Sequence, residues 1–322
     1  MGKNFWNNLP KPIVMLAPMD GYTDSAFRQI CHEVNPAIVV VTEFVSADGL
    51  AHGAPTVEAK LRFDPSEQPV VAQIFGKNST TFALATKFCE ARGFSGIDIN
   101  MGCPSKKVVK SEHGIALRRN HDQAFRLIEA VAKNTTLPVS VKTRLGWSDA
   151  SDLLEFGTGA QNAGANLITI HGRTYTVPYS CPADFEPIYE LKRRVSVPVI
   201  CNGGITSLQD GQSKIGNLDG FMIGRAAFGN PWVFSDCGEP AQFTDKLPLI
   251  KRHVSYLAER KGETVAMFEI RKHLLAYVRA IPGASSYRVA LARVESVAAA
   301  HRILDEIVSR VTVDGSTRPV LS

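Results

Sequence analysis

The chain has 322 residues, 44% hydrophobic and 21% charged, the balance of an ordinary globular protein with room for a large core. No apolar run approaches the roughly eighteen residues of a membrane helix. The opening MGKNFWNNLPKP carries no apolar signal core and no myristoylation pattern, so a cytoplasmic protein is expected.

Short aliphatic or β-branched runs recur at Ile13–Leu16, 37–42, Val70–Phe75, 96–99, 139–142, 167–170, 199–201 and Gly220–Ile223. Amphipathic, helix-like stretches lie between several of them, at Ser25–Val34, 80–92, 123–134 and 185–195. Continuous apolar strands alternating with helices predict a parallel sheet covered on both faces. Eight such units in this length favour an α/β fold of the (β/α)8 TIM-barrel type over an open doubly wound sheet. Polar residues follow the runs at one end: Pro18-Met19-Asp20, Glu43, Gln73, Asn100, Lys142, His171-Gly172-Arg173, Asn202-Gly203-Gly204 and Gly224-Arg225. That end is the rim where barrels build their active sites.

No Gly-x-Gly-x-x-Gly motif follows an early strand, which argues against a Rossmann domain. The glycines after the seventh and eighth runs instead offer backbone N–H groups suited to a phosphate, as in an FMN-like ligand. Six cysteines are spread without a Cys-x-x-Cys pair, arguing against a zinc site or a redox pair. Five read as core hydrophobes, whereas Cys103, between Gly102 and Pro104 on a rim loop, reads as presented to a ligand.

Beyond the last run, Gly238, Pro240 and Pro248 break periodicity and place a linker near 237–247. The expected domains are a catalytic barrel over 1–240 and a small C-terminal helical domain over 241–322. The net charge of +5 is concentrated here: from Asp245 onward 13 Lys and Arg face 8 Asp and Glu, while the other 244 residues carry 23 of each sign. Such asymmetry suggests a surface for a polyanion, the alternative being a plain solvated helical face.

Ala17-Pro18-Met19-Asp20-Gly21-Tyr22-Thr23-Asp24 resembles the opening signature of the tRNA-dihydrouridine synthase family, and Asp98-Ile99-Asn100-Met101-Gly102-Cys103-Pro104 is similar to its catalytic-cysteine loop. Val141-Lys142-Thr143-Arg144-Leu145-Gly146-Trp147, His171-Gly172-Arg173-Thr174, Met222-Ile223-Gly224-Arg225-Ala226 and the tail motifs Arg271-Lys272-His273 and Ile281-Pro282-Gly283-Ala284 extend the likeness over roughly Ile13 to Leu304, closest to the bacterial type. The resemblance implies reduction of the 5,6 double bond of specific uridines in tRNA. Hydride would go from FMNH2 to C6 and a proton from Cys103 to C5, with NADPH as electron donor. FMN contacts would fall on Pro18, Met19, Gln73, Lys142, His171, Asn202, Gly203, Gly204, Gly224 and Arg225.

Within that reading a cation at Lys142 favours the negatively charged reduced flavin, and Arg225 with the glycine N–H groups neutralises the phosphate. Cys103 must be a thiol, which an ordinary pKa of about 8.5 allows at neutral pH. His171 and Arg173 could hold the uracil carbonyls or the flavin. Asn100 could meet the uracil edge or cap its own turn. A stacked uridine must be turned out to reach the cofactor, which demands a surface that grips RNA. Lys106 and Lys107 beside the loop, with Lys251, Arg252, Arg271, Lys272, Arg279, Arg288, Arg293 and Arg302 in the tail, are the expected phosphate contacts. Asp20, Asp24 and Glu43 are read as structural partners of nearby arginines.

Several positions depart from the family pattern: Gly204 where Asp is common, Cys181 for Gly, Phe185 for Trp, and His113 and Arg118 for small or apolar residues. The main rival is an FMN barrel dehydrogenating a free small molecule of the dihydroorotate or dihydropyrimidine type. An RNA-binding barrel without the chemistry is the non-enzymatic rival. A monomer is expected.

Overall fold

The computed structural model describes residues 4–279, 281 and 283–315, the last five as backbone only. Pro282 of the Ile281-Pro282-Gly283-Ala284 motif and the two ends of the expected domains lie outside the described residues.

Eight parallel strands close into a barrel: β1 (Ile13–Leu16), β2 (Val39–Val41), β3 (Val70–Phe75), β4 (Gly96–Met101), β5 (Val139–Arg144), β6 (Leu167–His171), β7 (Val199–Asn202) and β8 (Gly220–Ile223). Each pairs with the next in sequence, and β1 pairs with β8 to close the ring. A ninth strand of two residues, Val45–Ser46, pairs with the end of β3. Almost every strand residue is buried, as expected of strands covered by side chains inside the barrel and helices outside. The fold is the TIM barrel that the runs predict.

The covering helices start where short polar side chains cap them. Asp24 Oδ1 accepts from Phe27 N at 3.1 Å to open Ser25–Val34. Asn78, Asn120 and Ser207 do the same for Ser79–Ala91, His121–Ala132 and Leu208–Lys214. The stretch read as 185–195 is helical only over Glu186–Lys192.

Four helices follow the barrel: Phe243–Lys261, Glu263–Tyr277, Ala284–Leu291 and Val297–Gly315. The predicted linker is shorter than expected, because helix Phe243–Lys261 runs through Pro248. Proline in the second turn removes one backbone bond without ending the helix when packing holds it. That packing is extensive. Ile250, Val254, Leu257, Met267, Ile270 and Leu274 share one core with Ala26 and Ile30 of the barrel helix Ser25–Val34. Within it His253 donates or accepts at Tyr277 Oη (3.0 Å), and the His253 and His273 rings lie 4.7 Å apart, both fully buried. No helix among the described residues is long and apolar enough to cross a membrane.

Candidate active site

Parallel register sets a polar layer inside the barrel. Gln73 stands opposite Asp98, and Asn100 opposite Lys142. Gln73 Nε2 donates to Asp98 Oδ2 at 2.7 Å, Ser140 Oγ donates to Asp98 Oδ1 at 2.6 Å, and Asn100 Nδ2 donates to Gln73 Oε1 at 2.9 Å. Burial pushes the Asp98 carboxyl up to about 6, with Ser140, Gln73 and Lys142 opposing the rise. Gln73, expected at the cofactor, is fully enclosed in this layer and does not line the cavity above it.

Asn100 connects the layer to the Cys103 loop. Its Oδ1 accepts from Gly102 N at 3.2 Å and Cys103 N at 3.0 Å, so both ends of the amide are engaged within the protein. Of the two roles read for Asn100, the turn-capping one is formed. Cys103 itself is partly exposed. Burial raises its thiol above the ordinary range, against the lowering pull of the Ser105 N–H, Arg144 and Lys142, so the group is protonated at neutral pH.

A cavity of about 360 Å³ opens at the C-terminal ends of the strands, lined by Pro18, Met19, Lys142, His171, Asn202, Gly203, Gly204, Gly224 and Arg225, together with Tyr179 and neighbouring backbone. Nine of the ten predicted cofactor residues therefore meet in one place, within the usual size range of a small-molecule site. Lys142 Nζ donates to Asn202 Oδ1 at 3.1 Å. Burial brings its pKa down to about 8, with Arg144 adding to the fall and Asp98 and Cys103 resisting it. Asn202 Oδ1 also accepts from His171 Nδ1 at 3.1 Å, and His171 Nε2 accepts from Arg173 Nη1 at 2.9 Å. Burial and three surrounding cations push the His171 pKa to about 2, which keeps the ring neutral.

The glycine cradle fits a phosphorylated ligand such as FMN. Gly203 (φ +120°) and Gly204 (φ +67°) occupy backbone conformations that side chains disfavour. Among the described residues their N–H groups have no hydrogen-bond partner. A Cβ on Gly203 would crowd His171 Nε2 and Ala183 Cβ, both at 3.2 Å. Arg173 lies against this same glycine turn, with Nε donating to Cys181 O at 2.7 Å.

Two residues not read as site residues complete the rim. Arg144 Nε donates to Gly102 O (3.0 Å), Nη1 to Thr174 O (3.0 Å) and Nη2 to Tyr179 Oη (2.7 Å). The Tyr179 ring stands between the guanidiniums of Arg144 (5.1 Å) and Arg225 (4.8 Å). A signal for Arg144 existed: two residues beyond Lys142 in an extended strand, it shares that residue's face.

The predicted RNA contacts divide. Lys106 and Lys107 are exposed on the short helix Lys106–Lys110 directly after the cysteine loop, with no ion pair among the described residues. Arg279, Arg288, Arg293 and Arg302 are likewise exposed and unpaired there. Lys251 and Arg252 instead bridge Asp305 (2.6 Å) and Glu33 (2.7 Å). Arg271 donates to Val294 O and Lys272 to Gly21 O. The acids near the rim take lysines or backbone, not arginines: Asp20 pairs with Lys60 (2.5 Å), Asp24 with Lys261 (2.9 Å), and Glu43 accepts from Gly21 N (2.5 Å).

Comparison with known proteins agrees with this geometry. The family model for dihydrouridine synthase (Dus) matches residues 15–312. The chain is 35% identical over 327 aligned residues to a probable tRNA-dihydrouridine synthase of Staphylococcus aureus (strain COL), covering 98% of each chain. It is 33% identical to probable tRNA-dihydrouridine synthase 1 of Synechocystis sp., over 92% of this chain and 86% of the relative. A probable tRNA-dihydrouridine synthase of Rhizobium leguminosarum bv. phaseoli is 36% identical, over 82% of this chain and 84% of its own. With its cysteine loop, glycine cradle and barrel in the matched span, the chain belongs to the dihydrouridine synthase family, an oxidoreductase family.

Proposed function

We propose that the chain reduces the 5,6 double bond of a uridine in tRNA, using FMN recharged by NADPH. The observation that supports this reading is a cavity lined by Lys142, His171, the Gly203-Gly204 turn and Arg225, with Arg144, two residues beyond Lys142 on β5, gripping Gly102 O of the adjoining Cys103 loop. The N–H groups of Gly203 and Gly204 and the Arg225 guanidinium would hold the cofactor's phosphate, and Lys142 would face its ring system. A reduced flavin held there would supply the hydride for C6 of the uracil. Lys142 contributes positive charge where the site must stabilise an anion. The Cys103 thiol gives its proton to C5, and Arg144, by gripping Gly102 O, fixes the loop that presents it. His171 is neutral and held in one tautomer by Asn202 and Arg173, so it orients and does not donate charge.

The division of labour follows the cores. Residues 1–240 would carry the catalysis and 241–322 the grip on tRNA, through the basic surface of the described helices from Phe243 onward.

Anaerobic incubation with FMN, NADPH and tRNA lacking dihydrouridine, followed by nucleoside mass spectrometry, tests the reading. Wild type yields a uridine heavier by two hydrogens, and Cys103→Ala retains flavin but loses most product. Undiminished product in Cys103→Ala removes the proton-donor role. No product from flavin-loaded wild type with a suitable tRNA pool removes the substrate.

A further inference from the structure

Helix Glu263–Tyr277 buries Met267, Ile270, Leu274 and Tyr277 against the core, yet on its other face Phe268 is 73% exposed. A lone exposed apolar residue is unremarkable. This one has company. The Arg271 guanidinium lies 5.9 Å from the Phe268 ring, and Lys272, one turn on from Phe268, places its ammonium 5.1 Å from the ring of Tyr22. Tyr22 is itself 40% exposed and belongs to the loop after β1, where its N–H donates to Met19 O at 2.9 Å. Met19 lines the cavity. An aromatic and cationic strip therefore runs from the cavity mouth, through Tyr22 and Lys272, to Phe268 and Arg271.

The charges identify what such a strip would meet. Arg271 and Lys272 have no carboxylate partner among the described residues; their hydrogen bonds go to the carbonyls of Val294 and Gly21. Those bonds fix the two cations without neutralising them, which suits a polyanion. Two exposed rings, each with one fixed cation beside it, suit the faces of unpaired bases, since stacking tolerates any base and adjoining phosphates take the charges. An apolar protein helix would satisfy the ring but leave both cations unanswered.

We propose that Phe268 and Tyr22 are stacking platforms for unpaired nucleotides flanking the uridine that enters the cavity, with Lys272 and Arg271 on the adjoining phosphates. This rests on the tRNA reading above and adds to it a contact that acts through ring faces, not charge.

The test is tRNA affinity by fluorescence anisotropy across a salt titration, with dihydrouridine formation measured in parallel. Exposure makes Phe268 variants safe for folding, and Phe268→Leu keeps apolar bulk while removing the ring. Phe268→Ala and Phe268→Leu should both weaken binding by roughly 5- to 150-fold, the range of one stacked base, with the salt slope unchanged. Phe268→Trp should retain affinity. Lys272→Ala should instead reduce the salt slope by about one. Wild-type affinity in Phe268→Leu overturns stacking, and wild-type affinity in Phe268→Ala combined with an altered sedimentation coefficient assigns the patch to a protein contact. Wild-type protein that neither binds nor modifies tRNA overturns the underlying reading as well, whereas active wild type with unaffected Phe268 variants overturns only the platform.

Discussion

Asn100→Ala separates the two roles that the sequence allows for this residue. The side chain makes three hydrogen bonds, accepting from Gly102 N and Cys103 N and donating to the enclosed Gln73 Oε1. A net bond contributes about 1 kcal/mol, and a buried acceptor left without a partner costs about 1–3 kcal/mol. The rim amides of Gly102 and Cys103 can recover water, so the Gln73 oxygen dominates and the whole loss is about 2–4 kcal/mol. For a chain of this size that lowers the melting temperature by roughly 3–6 °C. The released loop also misplaces Cys103, and a displacement of about 1 Å can reduce turnover about 100-fold. Flavin affinity should be unchanged, because Asn100 does not line the cavity. The assays are differential scanning calorimetry, flavin titration and single-turnover dihydrouridine formation, with tRNA affinity alongside. An unchanged melting temperature with tRNA affinity reduced tenfold or more would refute the positioning role and make Asn100 a direct substrate contact.

Lys142, with its pKa brought down to about 8, loses its ammonium as pH rises through that value, so the single-turnover rate should fall above about pH 8. Lys142→Met should abolish the chemistry yet raise stability at pH 7 by about 2 kcal/mol, since the folded state no longer buries a charge; calorimetry showing destabilisation would contradict this. His253, buried and held near pKa 4, stays neutral while the unfolded chain takes up a proton below about 6.5. Stability from this group is therefore full above pH 6.5 and declines by about 3 kcal/mol towards pH 4, and His253→Phe should flatten that decline in urea melts. Asp98, raised to about 6, works in the opposite direction between pH 6 and its ordinary value, so the net acid loss is smaller than the histidines alone would give.

The barrel was legible because its strands are buried on both faces and read as uninterrupted apolar runs. Reading failed where the inward face turns polar. β4 extends past Ile99 to Met101, and β5 past Lys142 to Arg144, because Asn100, Thr143 and Arg144 find partners inside. A run-based reading stops at the first polar residue and so truncates strands at the functional rim. Gln73 shows how little one strand says about depth. It lies towards the end of its strand but one layer below the cavity, a depth set by its register with Asp98 and invisible in one strand's sequence. Tyr179 sits on a loop without periodicity, and its place between two guanidiniums depends on β5 and the turn after β8.

Three of the five departures from the family pattern have separate physical accounts. Arg118 is buried where a small or apolar residue is usual, and its Nη1 donates to Arg144 O at 2.8 Å while Nη2 bonds Asp152 Oδ1 at 2.5 Å. Its guanidinium also lies 4.1 Å from the Phe156 ring centroid. The charge is thus compensated on three sides, and the residue ties helix Leu153–Asn162, through the Asp152 that precedes it, to the end of β5. That strand end carries Lys142 and Arg144. Gly204 removes a carboxylate from the cradle and leaves an open N–H in a positive-φ turn, which favours an anionic ligand. Cys181 contributes through its backbone, its carbonyl accepting from the Arg173 that braces His171, so its side chain is free to vary. Nothing in the structure explains His113, whose Nε2 is buried without a partner. Of the five departures, Arg118, Gly204 and Cys181 therefore act at the margins of one apparatus, the end of β5 and the glycine cradle, and none of them removes the bonds by which Arg144 holds Gly102 O of the Cys103 loop and Lys142 meets Asn202.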